Sequence, residues 1–252
     1  NNKRKFDDCS SYSSPHAATA EEPNEIVRFD PDIANNARNF GSARKRSSLQ
    51  SRAARQFHQC WLNSFEEGDL VIYTDGCCIG NPGPCGSGAI IYEVESSPSI
   101  EFKTVNQSTR DNVSNVNAVL KPLTSIAAYI NPMGTNNIGE LTAILLASHQ
   151  LEADYYKQSP FLLSRKTRKK KRIYFFSDSD YTINVVMNKY KAKKNQQLID
   201  DIREGLSNLY KCYQTVDFKW VAGHCGIAGN EHADKLANLA VEQPEKYKQV
   251  QT

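Results

Sequence analysis

The sequence predicts an α/β domain in which a five-stranded mixed sheet is flanked by helices, preceded by a disordered amino-terminal region. Three observations carry that prediction. Residues 1–67 are rich in Ser, Asn, Ala and charge with no sustained period, and the texture changes at Gly68. Two runs beyond it, LVIY (70–73) and IYFF (173–176), are continuously apolar, as strands buried on both faces are. Segments of helical period then alternate with strands, which packs helices on a sheet with parallel neighbours.

The elements follow in order. DLVIYTDG (69–76) is a buried strand ending in a turn, and GSGAIIYEV (86–94) a second strand after a Gly/Pro-rich hairpin. Residues 95–124 form a polar insertion. The third strand is either Ile100–Val105 or Ser125–Ile130, and the second is preferred because it runs almost directly into the next helix. From Asn137 to Ala153, Leu141, Ile144, Leu145 and Ser148 share a helical stripe. RIYFFS (172–177) is the fourth strand, helices cover about 179–190 and 195–210, VDFKWVA (216–222) is the fifth strand, and a last helix spans about Asn230 to Val241. The domain therefore covers 68–242, with 1–67 as a disordered or linker region and 243–252 as a tail. Within the linker, ARKRSSLQSRAARQFHQCWL (43–62) reads as a transiently ordered linker or as a basic helix that touches nucleic acid.

Composition excludes some classes. A net charge of +3 from 31 basic and 28 acidic residues does not announce a nucleic-acid binder. The seven cysteines have no CxxC spacing and follow no signal-peptide core, and no apolar run approaches the ~20 residues that span a bilayer. The expectation is an intracellular protein, nuclear or cytoplasmic, with free thiols. An amino-terminal Asn in place of Met suits a processed product or a piece of a longer polyprotein.

The chemistry lies in where the acids fall. Asp75 ends the first strand, Asp178 follows the fourth, and Glu140 and Asp234 lie in the first turns of two helices. If the first and fourth strands are parallel neighbours, Asp75 and Asp178 stand side by side at the strand ends where ligands collect. Clustered carboxylates repel unless a cation neutralises them, and hard divalent cations take such oxygen ligands. Acids in a first turn also serve the helix dipole alone, so spacing leaves both readings open.

Four motifs then point one way. YTDGCCIGNPGPCGSGAIIY (73–92), TNNIGELTAILLA (135–147), FSDSDYTINVV (176–186) and WVAGHCGIAGNEHADKLANLA (220–240) resemble, in order, the motifs of the type 1 ribonuclease H family, in its handle-less form as found in archaeal and retroelement-linked domains. The resemblance implies a ribonuclease H-like fold and hydrolysis of the RNA strand of an RNA–DNA hybrid by two Mg²⁺, for which Mn²⁺ can substitute, leaving 3′-hydroxyl and 5′-phosphate ends. It implies that Asp75 bridges both ions, that Asp234 helps hold the ion activating water, that Glu140 and Asp178 hold the other, and that His224 is a mobile proton-transfer residue. It also implies substrate contacts from Gly76, Cys77, Cys78, Gly80 and Asn81, from Asn136 and Asn137, and from Thr135 and Asn195 around a DNA phosphate.

The sequence departs from the family at several positions. Met133 stands where many relatives carry Arg, Asp180 where Gln is common, and Ile138–Gly139 where a polar or basic residue and a small apolar one are usual. NKYKAKKNQQ (188–197) replaces a Trp-bearing basic handle, leaving Lys189, Lys191, Lys193 and Lys194 to grip phosphate or to form an exposed helix end. RKTRKKKR (165–172) lies at the rim opposite Asp178 and reads first as a nuclear-import signal, second as a non-specific nucleic-acid patch, third as a solvated loop. Adjacent Cys77 and Cys78 are free thiols or a strained vicinal disulfide. Two rivals remain: a catalytically silent hybrid-binding module, and the ribonuclease H portion of a retroelement polyprotein. The expected partner is an RNA–DNA hybrid, with no membrane, and the chain a monomer or part of a polyprotein.

Overall fold

The structure, a computed structural model, describes Phe40 and residues 45–95, 119–157 and 171–247. In chain order it contains α1 (Ser48–Asn63), β1 (Leu70–Cys78), β2 (Gly83–Glu95), β3 (Val119–Gly134), α2 (Asn136–Lys157), β4 (Arg172–Ser177), α3 (Asp180–Val186), α4 (Gln196–Cys212), β5 (Thr215–Trp220), α5 (Ala228–Glu242) and α6 (Pro244–Tyr247). The strands form a five-stranded sheet in the order β3-β2-β1-β4-β5. β1 pairs antiparallel with β2 and parallel with β4, and β4 pairs parallel with β5. The mixed sheet expected from the sequence is therefore present.

The central strands are continuously apolar over Leu70–Tyr73 and Ile173–Phe176 because both faces are covered there. Successive residues point to opposite faces. Leu70, Ile72, Ile173 and Phe175 enter one core with Leu141, Ile144 and Leu151 of α2 and Ile199, Ile202, Leu206 and Leu209 of α4. Val71, Tyr73, Tyr174 and Phe176 enter a second core with Ala233 of α5 and with α1. The 3,4,3 spacing of the α4 residues is one helical stripe, which seats that helix on the sheet.

The second core corrects the expected linker. α1 is an ordered helix, with Ser47 and Gln50 forming a reciprocal capping box at its start. Phe40, Ala54, Phe57, Leu62 and Phe65 are buried against β1, β4 and the segment after β5. Its polar composition misleads because only one stripe is apolar while Arg52, Gln59 and Cys60 face solvent.

β3 is longer than the expected Ser125–Ile130, and residues 119–124 belong to it rather than to an insertion. Lys121 and Pro122 disguise it; Pro is tolerated because β3 is an edge strand, with a register shift where Ile91 and Tyr92 pair with Thr124 and Pro122. The alternative Ile100–Val105 lies outside the described residues. α3 ends at Val186, short of the expected 190, where Asn188 turns into the left-handed region at φ 59°. Part of the expected tail is ordered as α6. No helix of the described residues is long and apolar enough to cross a membrane.

Candidate active site

Asp75 lies on β1 two residues beyond Tyr73, and Asp178 two beyond Phe176, its parallel partner. Continuing that register sets the two carboxylates on neighbouring strands. Glu140 reaches them from α2 because that helix lies on β1 with bare backbone between them. A Cβ on Gly76 would fall 2.2 Å from the Glu140 nitrogen, and one on Gly139 would fall 2.9 Å from the Gly86 oxygen. Gly139 is thus what this close docking requires. Ser87 Oγ secures it by donating to the Gly139 carbonyl at 2.6 Å.

Ligand oxygens of Asp75, Glu140 and Asp178 all lie within 4.8 Å of one another. Asp75 and Glu140 are only 6% and 8% exposed. The Gly76 N–H donates to Asp75 Oδ1 at 2.8 Å and Ser177 Oγ to Glu140 Oε2 at 3.5 Å, while Asn230 Nδ2 donates to Asp178 Oδ2 at 3.5 Å. Burial, then the charge of Asp178, pushes Asp75 up to about 8. Burial, then Asp75 and Asp178, pushes Glu140 well above the carboxylate range. Burial also raises Asp178, against the Asn230 hydrogen bond and the charge of His224. Like charges in a poorly solvated site resist ionisation together, and a divalent cation removes that penalty. An all-oxygen, all-carboxylate donor set is the chemistry hard cations such as Mg²⁺ take, so these residues fit one.

Asp234 stands outside this trio. It projects from the second turn of α5, where Asn238 Nδ2 donates to its Oδ1 at 2.9 Å, and its charge still acts on Asp75. His224 is exposed, in the loop between β5 and α5, at φ 52°, a conformation uncommon outside glycine. Neighbouring Gly223 lies against Asp178, since a Cβ there would fall 2.0 Å from Asp178 Oδ2.

The expected substrate residues form two groups. Gly76, Cys77 and Cys78 end β1, Gly80 turns at φ 70°, and Asn81 is exposed beyond it. The Asn136 N–H donates to Asn81 Oδ1 at 3.4 Å, which joins this hairpin to Thr135, Asn136 and Asn137 at the start of α2. Asn195 stands on a separate element, before α4, at φ 59° and without a side-chain capping bond. Met133 is 69% exposed. Asp180 is exposed too, where Asn184 Nδ2 at 2.9 Å and Tyr190 Oη at 3.4 Å donate to its carboxylate.

The vicinal disulfide does not fit. On a strand, adjacent side chains diverge: Cys77 Sγ donates to Asn238 Oδ1 at 2.8 Å, whereas Cys78 Sγ faces the Gly83 and Gly134 carbonyls at 3.4 Å. Both are free thiols. Residues 187–195 contain no helix, so the handle is absent, and Lys189, Lys191, Lys193 and Lys194 are exposed. At the opposite rim, Lys171 and Arg172, the last residues of the basic run, pair with Glu93 and Asp69; 165–170 lie outside the described residues.

Arg46, Arg55, Trp220 and Asn230 also converge here; Trp220 and Asn230 lie inside the 220–240 motif, which assigns them no role, and Arg46 and Arg55 lie in no motif. The capping box at Ser47 and the stripe Ala54, Phe57, His58, Leu62 are the signals that α1 is structural.

A mixed sheet that gathers unpaired carboxylates at the ends of two parallel strands, two of the three buried, defines a metal-dependent phosphodiester-hydrolase type of site. The family model described as RNase H matches residues 67–242. The chain is 30% identical over 185 residues to ribonuclease H of Trichodesmium erythraeum, covering 69% of this chain and 90% of that protein. It is 28% identical over 187 residues to ribonuclease H of Desulforamulus reducens, covering 70% and 89%. Among solved structures, LC11-RNase H1 in complex with an RNA/DNA hybrid matches with TM-score 0.45 and 21% identity over 70% of this chain and 99% of that one. RNase H1 of Halobacterium salinarum matches with TM-score 0.44 and 20% identity, covering 70% and 99%. The chain belongs to the ribonuclease H family.

Proposed function

We propose that this protein is an endonuclease that hydrolyses the RNA strand of RNA–DNA hybrids, leaving 3′-hydroxyl and 5′-phosphate ends. The observation that carries the reading is the carboxylate trio of buried Asp75 and Glu140 with half-buried Asp178. Its oxygens lie within 4.8 Å of one another and, among the described residues, no cationic side chain is bonded to them. With Asp234 these residues would hold two Mg²⁺, or Mn²⁺ in their place. Bound there, such ions activate water and neutralise the leaving oxygen.

The rest of the work falls to the chain. Asp75, central on β1, orients the cluster, and Asn230 holds Asp178 toward it. The His224 imidazole, exposed and acting by its charge on Asp178, would move a proton at the edge of the site. The Gly76–Gly80 backbone and the amides of Asn81, Asn136 and Asn137 would meet the minor groove of a hybrid and its 2′-hydroxyls. Thr135 and Asn195 precede helices, where N–H groups favour phosphate. The exposed lysines from Lys189 to Lys194 add sequence-independent attraction. Since Lys171 and Arg172 are committed to ion pairs, import into a nucleus would be read from 165–170.

The test is cleavage of a labelled hybrid with Mg²⁺ beside duplex RNA, duplex DNA and single-stranded RNA. Metal-dependent cutting of the hybrid alone is expected. Binding without cutting in Mg²⁺ and in Mn²⁺ would establish the silent hybrid-binding module instead.

A further inference from the structure

The family match begins at residue 67, yet Phe40 and α1 lie before it and are built into the same core. Their polar contacts converge on the loop that carries His224. Arg46 Nη1 donates to the Gly223 carbonyl, and Arg55 Nη1 donates to the Cys225 carbonyl at 2.6 Å. The carbonyls on both sides of His224 are thus held by guanidinium groups from outside the matched domain. The Arg55 side chain also lies against Gly226, its Cδ 3.4 Å from where a Cβ would stand.

A second set of contacts reaches Asp178 from the same segment. Arg46 Nε donates to the Phe40 carbonyl at 2.8 Å, and the buried Phe40 ring stacks on Trp220 with centroids 6.2 Å apart. The Trp220 indole N–H donates to the Asp178 carbonyl at 3.0 Å. The loop so held is one that needs holding. His224 sits at φ 52°, and a side-chain-bearing residue keeps such a conformation only when its surroundings over-determine it.

We propose that Arg46 and Arg55 are positioning residues for catalysis, holding Gly223 and Cys225 so that His224 and Asp178 are presented together at the carboxylate cluster. The proposal rests on the hybrid-nuclease reading and makes the segment before the family domain part of the working enzyme. Each guanidinium grips a loop carbonyl, where lysine, with one compact charge and no planar fork, is a poorer substitute.

The experiment is a double-mutant cycle in the full chain, assayed on hybrid below every variant's melting temperature. Replacing both arginines by alanine should lower kcat roughly tenfold with KM changed less than about twofold. In a His224→Ala background the same replacement should cost clearly less, roughly threefold, because only Asp178 is then left to be misplaced. Arg46→Lys with Arg55→Lys should recover part of the rate and covers the case in which the alanine protein fails to fold. Equal losses in both backgrounds, or a loss confined to KM, would overturn the proposal. Amide hydrogen exchange across residues 222–226 should quicken in the arginine variants and needs no activity; unchanged exchange would overturn it too. A wild type that never cuts hybrid refutes the nuclease reading, and exchange then still reports whether the arginines hold the loop.

Discussion

At the start of β1 and β4, Asp69 is 4% exposed and lies under Arg172, whose Nε donates to both carboxylate oxygens at 3.1 and 3.0 Å, while Glu93 pairs with Lys171. At the far end of the same strands, Asp75, Glu140 and Asp178 are gathered with hydroxyl, amide and backbone donors. Among the described residues, no cationic side chain is bonded to them. The ordinary remedy for a buried acid is thus applied at one end and withheld at the other. Burial of an acid is therefore not the signal of a site; burial without a cationic partner is.

The sharpest way to break this contrast is Asp178→Asn, which should lower hybrid cleavage on the order of a thousandfold, as loss of a preorganised charged group does, with melting temperature unchanged or raised. Asp69→Ala should do the reverse, costing about 3 kcal/mol in denaturant unfolding by taking from Arg172 its buried partner, with kcat retained in the folded protein.

Acid–base linkage gives the carboxylate cluster a signature of its own. Folded Asp75 keeps its proton up to about pH 8, whereas the unfolded chain releases it in the ordinary carboxylate range. Without metal, the stability this group contributes is present at low pH and is lost as pH rises through that window, levelling above about 8. Thermal melts in chelator should show that decline, Asp75→Asn should make it shallower while Glu140 and Asp178 keep the rest, and added Mg²⁺ should restore stability at its upper end. The smallest effect expected is from replacing Lys191, Lys193 and Lys194 by Gln. It should reduce the salt dependence of hybrid binding by about one unit of slope for each phosphate no longer neutralised, with kcat unchanged.

Much of this is legible in the sequence, for physical reasons. LVIY and IYFF announce strands buried on both faces, and the sheet they form carries Asp75 and Asp178 at its ends. Glu140 is legible as an acid near a helix start, but not the reason it reaches the cluster, which is the contact of Gly76 with Gly139. α1 is hidden because a helix needs only one apolar stripe to join a core, and the charge on its other face dominates composition. β3 is blurred by Lys121 and Pro122, which an edge strand tolerates. The clamps of Arg46 and Arg55 on the His224 loop join residues 177 and 170 positions apart, so no local pattern encodes them.

The measurement that bears most directly on the central contrast is the rate of hybrid cleavage by wild type, Asp69→Asn and Asp75→Asn, each assayed below its melting temperature with Mg²⁺ and again with chelator. Cutting by wild type and Asp69→Asn in Mg²⁺ only, and none by Asp75→Asn, is the result predicted. Cleavage by Asp75→Asn at a rate near that of wild type would contradict the assignment of the carboxylate trio as the metal site.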